Sequence, residues 1–320
     1  MLPNFLLLGA AKAGTTSLYR YVAQHPDIFM SPVKEPGFFI WEGREYDVQG
    51  ARLERVRSRP IQDFASYAEL FSGAKQERIR GEGSTGYLHT PGVAERIRQC
   101  IPGAKLIAIL RDPVDRAYSA FLNARTTGIE PFSDFAQALE SEPRRVRNQW
   151  IGLTLYVTVG KYGQQLERYL AVFPPEQLRV YLYEDLAREP LALVQDAFRF
   201  LEVDDAFEPD VSGRANVSRA FRSARLYGFL KSSRAGSLAQ RIVPRQPARL
   251  LHRKLNERPR PGLSSESRGE FAQKFEADLH LLSRQLNRDL SPWLEGNMVP
   301  APRDGDEYGM HPRSAGLEMR

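Results

Sequence analysis

The chain has 320 residues, of which 42% are hydrophobic and 26% are charged, and its formal net charge is +6 at pH 7. These proportions are typical of a globular protein and exclude global disorder. The single cysteine excludes an intrachain disulfide framework and a cysteine-rich zinc site. The positive charge favours an anionic partner, such as a nucleotide, a sulfated or phosphorylated substrate, a nucleic acid or a membrane surface.

Short apolar runs alternate with amphipathic segments along most of the chain. Strands are predicted at 5–8, 28–30, 78–82, 105–110 and 178–183. Helices are predicted at 16–24, 61–71, 91–100, 132–140, 162–173, 191–201 and 266–286, with a further one beginning at Pro113. The stretch 31–60, which Pro and Gly interrupt, is predicted to be surface loop. This alternation predicts an α/β fold in which helices cover both faces of a parallel sheet.

The first predicted strand runs into a glycine-bounded loop, Gly9-Ala10-Ala11-Lys12-Ala13-Gly14-Thr15-Thr16. In a nucleoside-triphosphate loop the second glycine is followed by Lys and then by Ser or Thr. Here Thr15 occupies that Lys position, and Lys12 lies inside the loop. Backbone N–H groups and the start of the following helix still predict an anion site. The arrangement disfavours a magnesium-triphosphate ligand.

Two further segments accompany this loop. The first is Lys34-Glu35-Pro36-Gly37-Phe38-Phe39, and the second, after the apolar run 106–110, is Arg111-Asp112-Pro113-Val114-Asp115-Arg116-Ala117-Tyr118-Ser119. Together with the loop, they resemble sulfotransferases that use 3′-phosphoadenosine 5′-phosphosulfate (PAPS), in the heparan-sulfate-type branch and its bacterial relatives. With Gly160-Lys161-Tyr162 and the segment 177–186, the resemblance covers residues 3–294.

The resemblance implies a P-loop-type, three-layer sulfotransferase fold and a set of PAPS-binding residues. These are Lys12, Ala13, Gly14, Thr15, Thr16, Ser17, Arg111, Ser119, Arg214 and Arg219. The loop residues would bind the 5′-phosphosulfate, and Arg111 with Ser119 would bind the 3′-phosphate. Arg214 and Arg219 would close over the nucleotide. Lys12 would neutralise the charge that develops on the departing adenosine 3′,5′-bisphosphate (PAP).

The predicted general base is Glu35, which would take the proton from the acceptor hydroxyl. Lys34 is predicted to position Glu35 or the acceptor, and His89 to line the acceptor cleft. His25 and His89 are rival bases because cytosolic members of the wider superfamily use histidine. The family pattern has a Lys in the stretch 83–87, and this chain has none there.

The expected activity is transfer of a sulfuryl group from PAPS to a hydroxyl, or less readily an amine, on a small molecule, lipid or carbohydrate. A sulfotransferase domain at 1–296 and a disordered tail at 297–320 are predicted. No His, Cys, Asp and Glu cluster has metal-ligand spacing, so no metal is expected. No export signal or membrane span is visible, and Golgi relatives carry an anchor, so a cytoplasmic protein is expected.

Two alternatives stay open at this point. The first is a P-loop kinase or NTPase, which would need a lysine after Gly14 and an acidic strand end for magnesium. The second is a noncatalytic anion-binding or nucleic-acid-binding protein that uses the many basic residues after Val211.

Overall fold

The computed structural model describes residues 1–42, 61–148, 150, 152–213 and 263–300. Strands in these residues are β1 (Phe5–Gly9), β2 (Ile28–Met30), β3 (Ile79–Gly83), β4 (Lys105–Leu110) and β5 (Leu178–Leu182). They form one parallel sheet in the order β2-β3-β1-β4-β5. The carboxyl ends of parallel strands share one edge, so the loops that follow β1, β3 and β4 meet there.

Helices surround this sheet. In the first part of the chain they are α1 (Thr15–Val22), α2 (Phe38–Trp41), α3 (Phe64–Glu69), α4 (Val93–Cys100), α5 (Pro113–Thr127), α6 (Phe135–Glu140) and α7 (Glu142–Arg147). Then follow α8 (Tyr162–Leu170), α9 (Tyr183–Arg188), α10 (Pro190–Leu201), α11 (Ser265–Gln273), α12 (Glu276–Leu286) and α13 (Ser291–Glu295). None of the helices in the described ranges is both long and apolar enough to cross a bilayer.

The two faces of the sheet pack against different helices. Along β1, Leu6 and Leu8 belong to a core cluster with α4, α5, α8 and α12, whereas Phe5 and Leu7 belong to a second cluster with α1 and α10. Successive side chains of a strand point to opposite faces, which explains this division. The predicted α/β fold, with helices on both faces, is confirmed.

The helix α5 shows why the segment after β4 folds as it does. Asp112 caps it, because its Oδ1 accepts hydrogen bonds from the N–H groups of Val114 at 2.8 Å and Asp115 at 3.1 Å. Pro113 occupies the first turn, where its missing N–H is not needed. Gly128, with a φ of 72°, ends the helix in the left-handed conformation.

The carboxyl-terminal part differs from the prediction in two respects. The single helix predicted at 266–286 is two helices, α11 and α12, which are separated at Phe275. The ring of Phe275 is buried there and packs against Gly160. The Asp278 carboxylate on α12 accepts hydrogen bonds from the N–H groups of Gly163 at 2.9 Å and Gln164 at 3.0 Å. This cap ties α12 to the start of α8.

The second difference is at the start of the predicted tail, where residue 299 contacts the domain. Val299 is only 1% exposed, and its carbonyl accepts a hydrogen bond from Arg188 at 3.2 Å. The Pro300 carbonyl accepts one from Arg288 at 2.6 Å. Val299 therefore packs on the domain and fills part of the core, whereas Met298 beside it is exposed. Residues 301–320 lie outside the described ranges.

Candidate active site

The glycine-bounded loop joins β1 to α1 in a form suited to an anion. Lys12 and Gly14 have φ values of 72° and 101°, which turn the chain back toward the helix start. The N–H of Ala13 donates to the carbonyl of Ala10 at 3.2 Å. No side chain caps α1, so the N–H groups of its first turn face the loop, where the helix dipole is positive.

The loop after β3 lies against this anion loop. The N–H of Ser84 donates to the carbonyl of Leu7 at 3.2 Å, and that of Leu88 donates to Leu8 at 3.0 Å. A Cβ atom on Gly9 would lie 3.1 Å from the carbonyl oxygen of Thr85. Glycine at position 9, with a φ of 148°, permits this close approach.

Glu35 is held at the same edge of the sheet. Its backbone N–H donates to Gly83 at 2.9 Å, and its Oε2 accepts from the Thr85 N–H at 2.8 Å and from the Thr85 hydroxyl at 3.0 Å. Lys34 Nζ lies 3.0 Å from Glu35 Oε1. The Glu35 side chain is 44% exposed, so water screens this ion pair. The structure thus places Glu35 beside Thr85 and, through Thr85, beside the anion loop.

The end of β4 and the helix α5 supply two of the predicted PAPS-binding side chains. Ser119 is 2% exposed, and its hydroxyl has no hydrogen-bond partner among the described residues. Arg111 lies 3.4 Å from Asp115 Oδ2, and its guanidinium stands 4.9 Å from the centre of the Tyr183 ring. The same ring contacts the anion loop, because a Cβ on Gly14 would lie 3.0 Å from Tyr183 Cδ2.

Arg268 reaches this region from α11. Its guanidinium binds Asp112 through Nη2 and donates to Asp115 Oδ1 through Nη1 at 2.6 Å. Burial and the neighbouring Asp115 raise the pKa of Asp112 to about 6, although Arg268 opposes that shift. Asp115 therefore stands between two arginines, Arg111 and Arg268.

The contacts of His25 are structural and disfavour the rival-base hypothesis for this residue. Its Nδ1 accepts a hydrogen bond from the Asp27 N–H at 3.0 Å, and its Nε2 lies 2.9 Å from the Asp204 carbonyl. The ring is 2% exposed and packs edge-on against Phe207. Both ring nitrogens are thus engaged by backbone groups and are not available to take a proton from an acceptor.

His89 packs against Gly152. Burial, with Arg116 and Arg168 nearby, lowers the pKa of His89 to about 4. An imidazole with so low a pKa is a weak base at neutral pH, which disfavours His89 as the general base. Its place in an acceptor cleft stays a prediction.

Sequence reasoning missed Glu82, Tyr183 and Arg268. Glu82 is fully buried on β3, and burial raises the pKa of its carboxyl to about 7. The signal was a glutamate between two glycines, Gly81 and Gly83, near the end of a predicted strand. Tyr183 was assigned to the end of a strand, whereas it begins α9. The signal for Arg268 was weak, because an arginine on a predicted helix more often faces solvent.

Two predicted residues, Arg214 and Arg219, lie outside the described residues. In the ranges that are described, no group of three or more His, Cys, Asp and Glu side chains has the geometry of a metal site.

Comparisons with known proteins identify the family and support the fold. A family model described as "Sulfotransferase domain" matches residues 2–213. The crystal structure of a sulfotransferase from Alicyclobacillus acidocaldarius is 33% identical, with a TM-score of 0.72, and the match covers 92% of this chain and 99% of that one.

Two curated relatives are longer than this chain. The bifunctional heparan sulfate N-deacetylase/N-sulfotransferase of Drosophila melanogaster is 28% identical over 231 residues, which cover 69% of this chain and 21% of that protein. Human carbohydrate sulfotransferase 15 is 26% identical over 250 residues, covering 63% of this chain and 44% of that protein. The chain thus spans about a fifth to less than half of these relatives. The family match over residues 2–213 and the shared fold establish that this chain belongs to the sulfotransferase family.

Proposed function

We propose that this chain transfers the sulfuryl group of PAPS to an acceptor hydroxyl, with Glu35 as the general base and Lys12 as the cation that stabilises the leaving group. One observation carries the proposal: the Glu35 carboxylate is fixed by Thr85, whose carbonyl lies against Gly9 of the anion loop. A proton acceptor and an anion site therefore lie at the same edge of the sheet.

PAPS would supply an activated sulfuryl group, and the residues present fit its two charged ends. The first-turn N–H groups of α1 suit the 5′-phosphosulfate. The buried hydroxyl of Ser119, which lacks a partner among the described residues, suits a further phosphate. The Arg111 guanidinium pairs with the partly exposed Asp115 at 3.4 Å, a contact that a phosphate dianion can replace.

In this scheme, the acceptor oxygen forms a bond to sulfur as the bond from sulfur to the bridging oxygen of PAP breaks. Glu35 takes the acceptor proton at the same stage. The Lys12 ammonium would stabilise the negative charge that PAP acquires, and that charge is greatest in the transition state. Lys34, at 3.0 Å from Glu35 Oε1, would orient this carboxylate when the acceptor is absent.

A carbohydrate is the first acceptor class to test. One relative is named for heparan sulfate N-sulfotransfer and another is named a carbohydrate sulfotransferase, which supports this choice. The exposed side of Glu35 is compatible with a large acceptor that remains partly in solvent. Lipids and small hydroxylated metabolites are the remaining classes.

The kinase alternative is less consistent with the site. A P-loop kinase uses a lysine and a hydroxyl after the second glycine, together with an acidic residue that holds magnesium. Here Thr15 follows Gly14, and Arg111 is the first residue after β4. The nucleic-acid-binding alternative rests on the basic residues after Val211, most of which lie outside the described ranges.

The test measures the thermal stabilisation of the purified chain by PAP, AMP and ATP, followed by transfer of labelled sulfate from PAPS to a panel of acceptors. A ligand that binds only the folded state raises the melting temperature, and at equal concentration the tighter ligand raises it more. We expect PAP to raise the melting temperature of the wild-type chain most. In Ser119→Ala, the increase with PAP should fall close to the increase with AMP. The surface variant Ser72→Ala is the matched control. Equal shifts for all three nucleotides would contradict the proposal.

A further inference from the structure

Glu82 is a buried carboxyl that the scheme above does not use. It lies on β3 next to the central strand, is 0% exposed and is flanked by Gly81 and Gly83. Its Oε1 accepts a hydrogen bond from the Tyr67 hydroxyl at 3.2 Å, and its Oε2 accepts one from the Ser84 hydroxyl at 2.9 Å. Burying a carboxyl group costs free energy, and hydrogen bonds offset that cost only in part. A buried carboxyl that makes a full set of hydrogen bonds therefore suggests a specific role.

Each hydrogen-bond partner of Glu82 also contacts the segment that follows Glu35. The Ser84 oxygen accepts a hydrogen bond from the N–H of Gly37 at 3.0 Å. The hydroxyl of Tyr87, which hydrogen-bonds to Glu82, accepts one from the Phe39 N–H at 3.4 Å.

The third partner, Tyr67, makes a ring contact with the same segment. Its ring stacks on Phe38, with 4.3 Å between ring centres. Glu82 is therefore the common anchor of three contacts to residues 37–39.

This anchored segment determines where Glu35 stands. Glu35 has a φ of 62°, which is uncommon for a residue other than glycine and is maintained only when the surroundings fix it. On one side, Thr85, directly after Ser84, binds its carboxylate. On the other side, Gly37 binds Ser84. A shift of Ser84 would thus displace both the backbone and the carboxylate of Glu35.

We propose that Glu82 is a positioning residue for sulfuryl transfer, which acts through Ser84 and Tyr87 to hold the segment carrying Glu35. The inference rests on the proposed role of Glu35 as the general base. It adds a residue that touches neither the nucleotide nor the acceptor.

The protonation state of Glu82 gives this role a measurable signature. Burial raises the pKa of Glu82 to about 7, its three hydroxyl donors oppose the shift, and the charge of Glu35 adds to it. The titratable groups that face Glu82 are Glu35 and the tyrosines of α1, α3, the loop after β3 and α8, namely Tyr19, Tyr67, Tyr87 and Tyr169. Burial raises the pKa of each of these tyrosines, so they remain neutral.

Ionisation of Glu82 favours the reaction. The carboxylate accepts all three hydroxyl donors, whereas a protonated acid must donate to one of those oxygens. We therefore expect kcat to rise as the pH increases through about 7.

The test compares Glu82→Gln with the wild-type chain. An amide at position 82 has the same size, but its NH2 group faces hydroxyls that also donate. At least one of these hydrogen bonds must therefore break. We expect kcat to fall by about 10- to 100-fold, with an unchanged KM for PAPS and unchanged stabilisation by PAP. The rise of kcat near pH 7 should disappear in the variant.

An infrared pH titration should show a protonated carboxyl band that is lost over the same range in the wild type and is absent from Glu82→Gln.

The matched control is Asp278→Asn, which makes the same carboxyl-to-amide change at a buried residue that caps α8. It should lower the melting temperature without changing the pH profile of kcat. If Glu82→Gln does not fold, Ser84→Ala carries the test, because it removes the link to Gly37 and keeps the carboxylate. That variant should also lose kcat while retaining PAP binding.

Unchanged kcat in either variant, or a rise near neutral pH that persists in Glu82→Gln, would overturn the role of Glu82. Loss of PAP binding together with kcat would also overturn it, because a positioning role predicts an intact nucleotide site. A wild-type chain that binds PAP but transfers nothing would instead overturn the proposed function, and the role of Glu82 with it.

Discussion

Arg268 and Asp115 are separated by 153 positions in the sequence, and Nη1 of the arginine donates to Oδ1 of the aspartate at 2.6 Å. Asp115 also faces Arg111 at 3.4 Å through its other oxygen. Arg268 lies beyond residue 213, where the match to the family model ends. The carboxyl-terminal helices therefore contribute directly to the charge balance around the predicted 3′-phosphate site.

We expect Arg268→Ala to weaken PAP binding about fivefold, a coupling of about 1 kcal/mol. Without Arg268, Asp115 would attract the Arg111 guanidinium more strongly and compete with the phosphate. Isothermal titration with PAP measures the change. Arg199→Ala is the matched control, because Arg199 pairs with Asp205 on the surface of α10. Equal affinities for the wild type and Arg268→Ala would show that Asp115 does not compete for Arg111.

Lys12→Met should lower kcat by about 10²- to 10³-fold, as removal of a preorganised charge near a leaving group does in other enzymes. Methionine keeps much of the length of the side chain but removes the ammonium. PAP should still stabilise the variant, because the N–H groups of the loop remain. Stopped-time transfer assays at saturating PAPS measure kcat, and a fall in kcat of less than threefold would remove Lys12 from the reaction.

Glu35→Gln should abolish most transfer, with a loss of about 10²- to 10⁴-fold, because an amide cannot accept the acceptor proton. The Thr85 N–H can still donate to the amide oxygen, so the loop should keep its position. The melting temperature and its increase with PAP should match the wild type. Substantial turnover by this variant would assign the base to another residue.

The free energy of unfolding should depend on pH through the titration of Glu82. Its pKa is 4.5 in the unfolded chain and about 7 in the folded one, so its contribution to stability is fully present below about pH 4.5 and is lost as the pH rises through 7. Between these pH limits, the contribution of Glu82 to the free energy of unfolding changes by about 3 kcal/mol. The stability of Glu82→Gln relative to the wild type should therefore increase between about pH 5 and about pH 8. Urea denaturation measures it, and a constant difference would place the carboxyl pKa near its unfolded value.

The anion loop, the base segment and the 3′-phosphate segment could be predicted from the sequence because each combines a local pattern with a strand end. The strand predicted at 105–110 is observed as Lys105–Leu110, since a continuous apolar run fits a central strand buried on both faces. The predicted residues Glu35 and Lys12 follow β2 and β1 respectively, at the shared edge of the sheet.

The parts that could not be predicted depend on tertiary contacts. The break at Phe275 arises where its ring packs on Gly160, 115 positions away from it. Val299 looked like part of a polar tail, and only its burial against the core shows otherwise. Glu82 has no local pattern that identifies its role, because the hydroxyls of Tyr67 and Ser84 meet it only in the folded chain.

The strand order places the predicted nucleotide-binding segment after β4 and the proposed base on opposite sides of the central strand. The loops after β1 and β4 carry the predicted nucleotide-binding residues. Glu35 follows β2, and Glu82 lies on β3, on the other side of the central strand β1. If both residues act as proposed, substitutions around β2 and β3 should change transfer to the acceptor while the donor pocket stays intact.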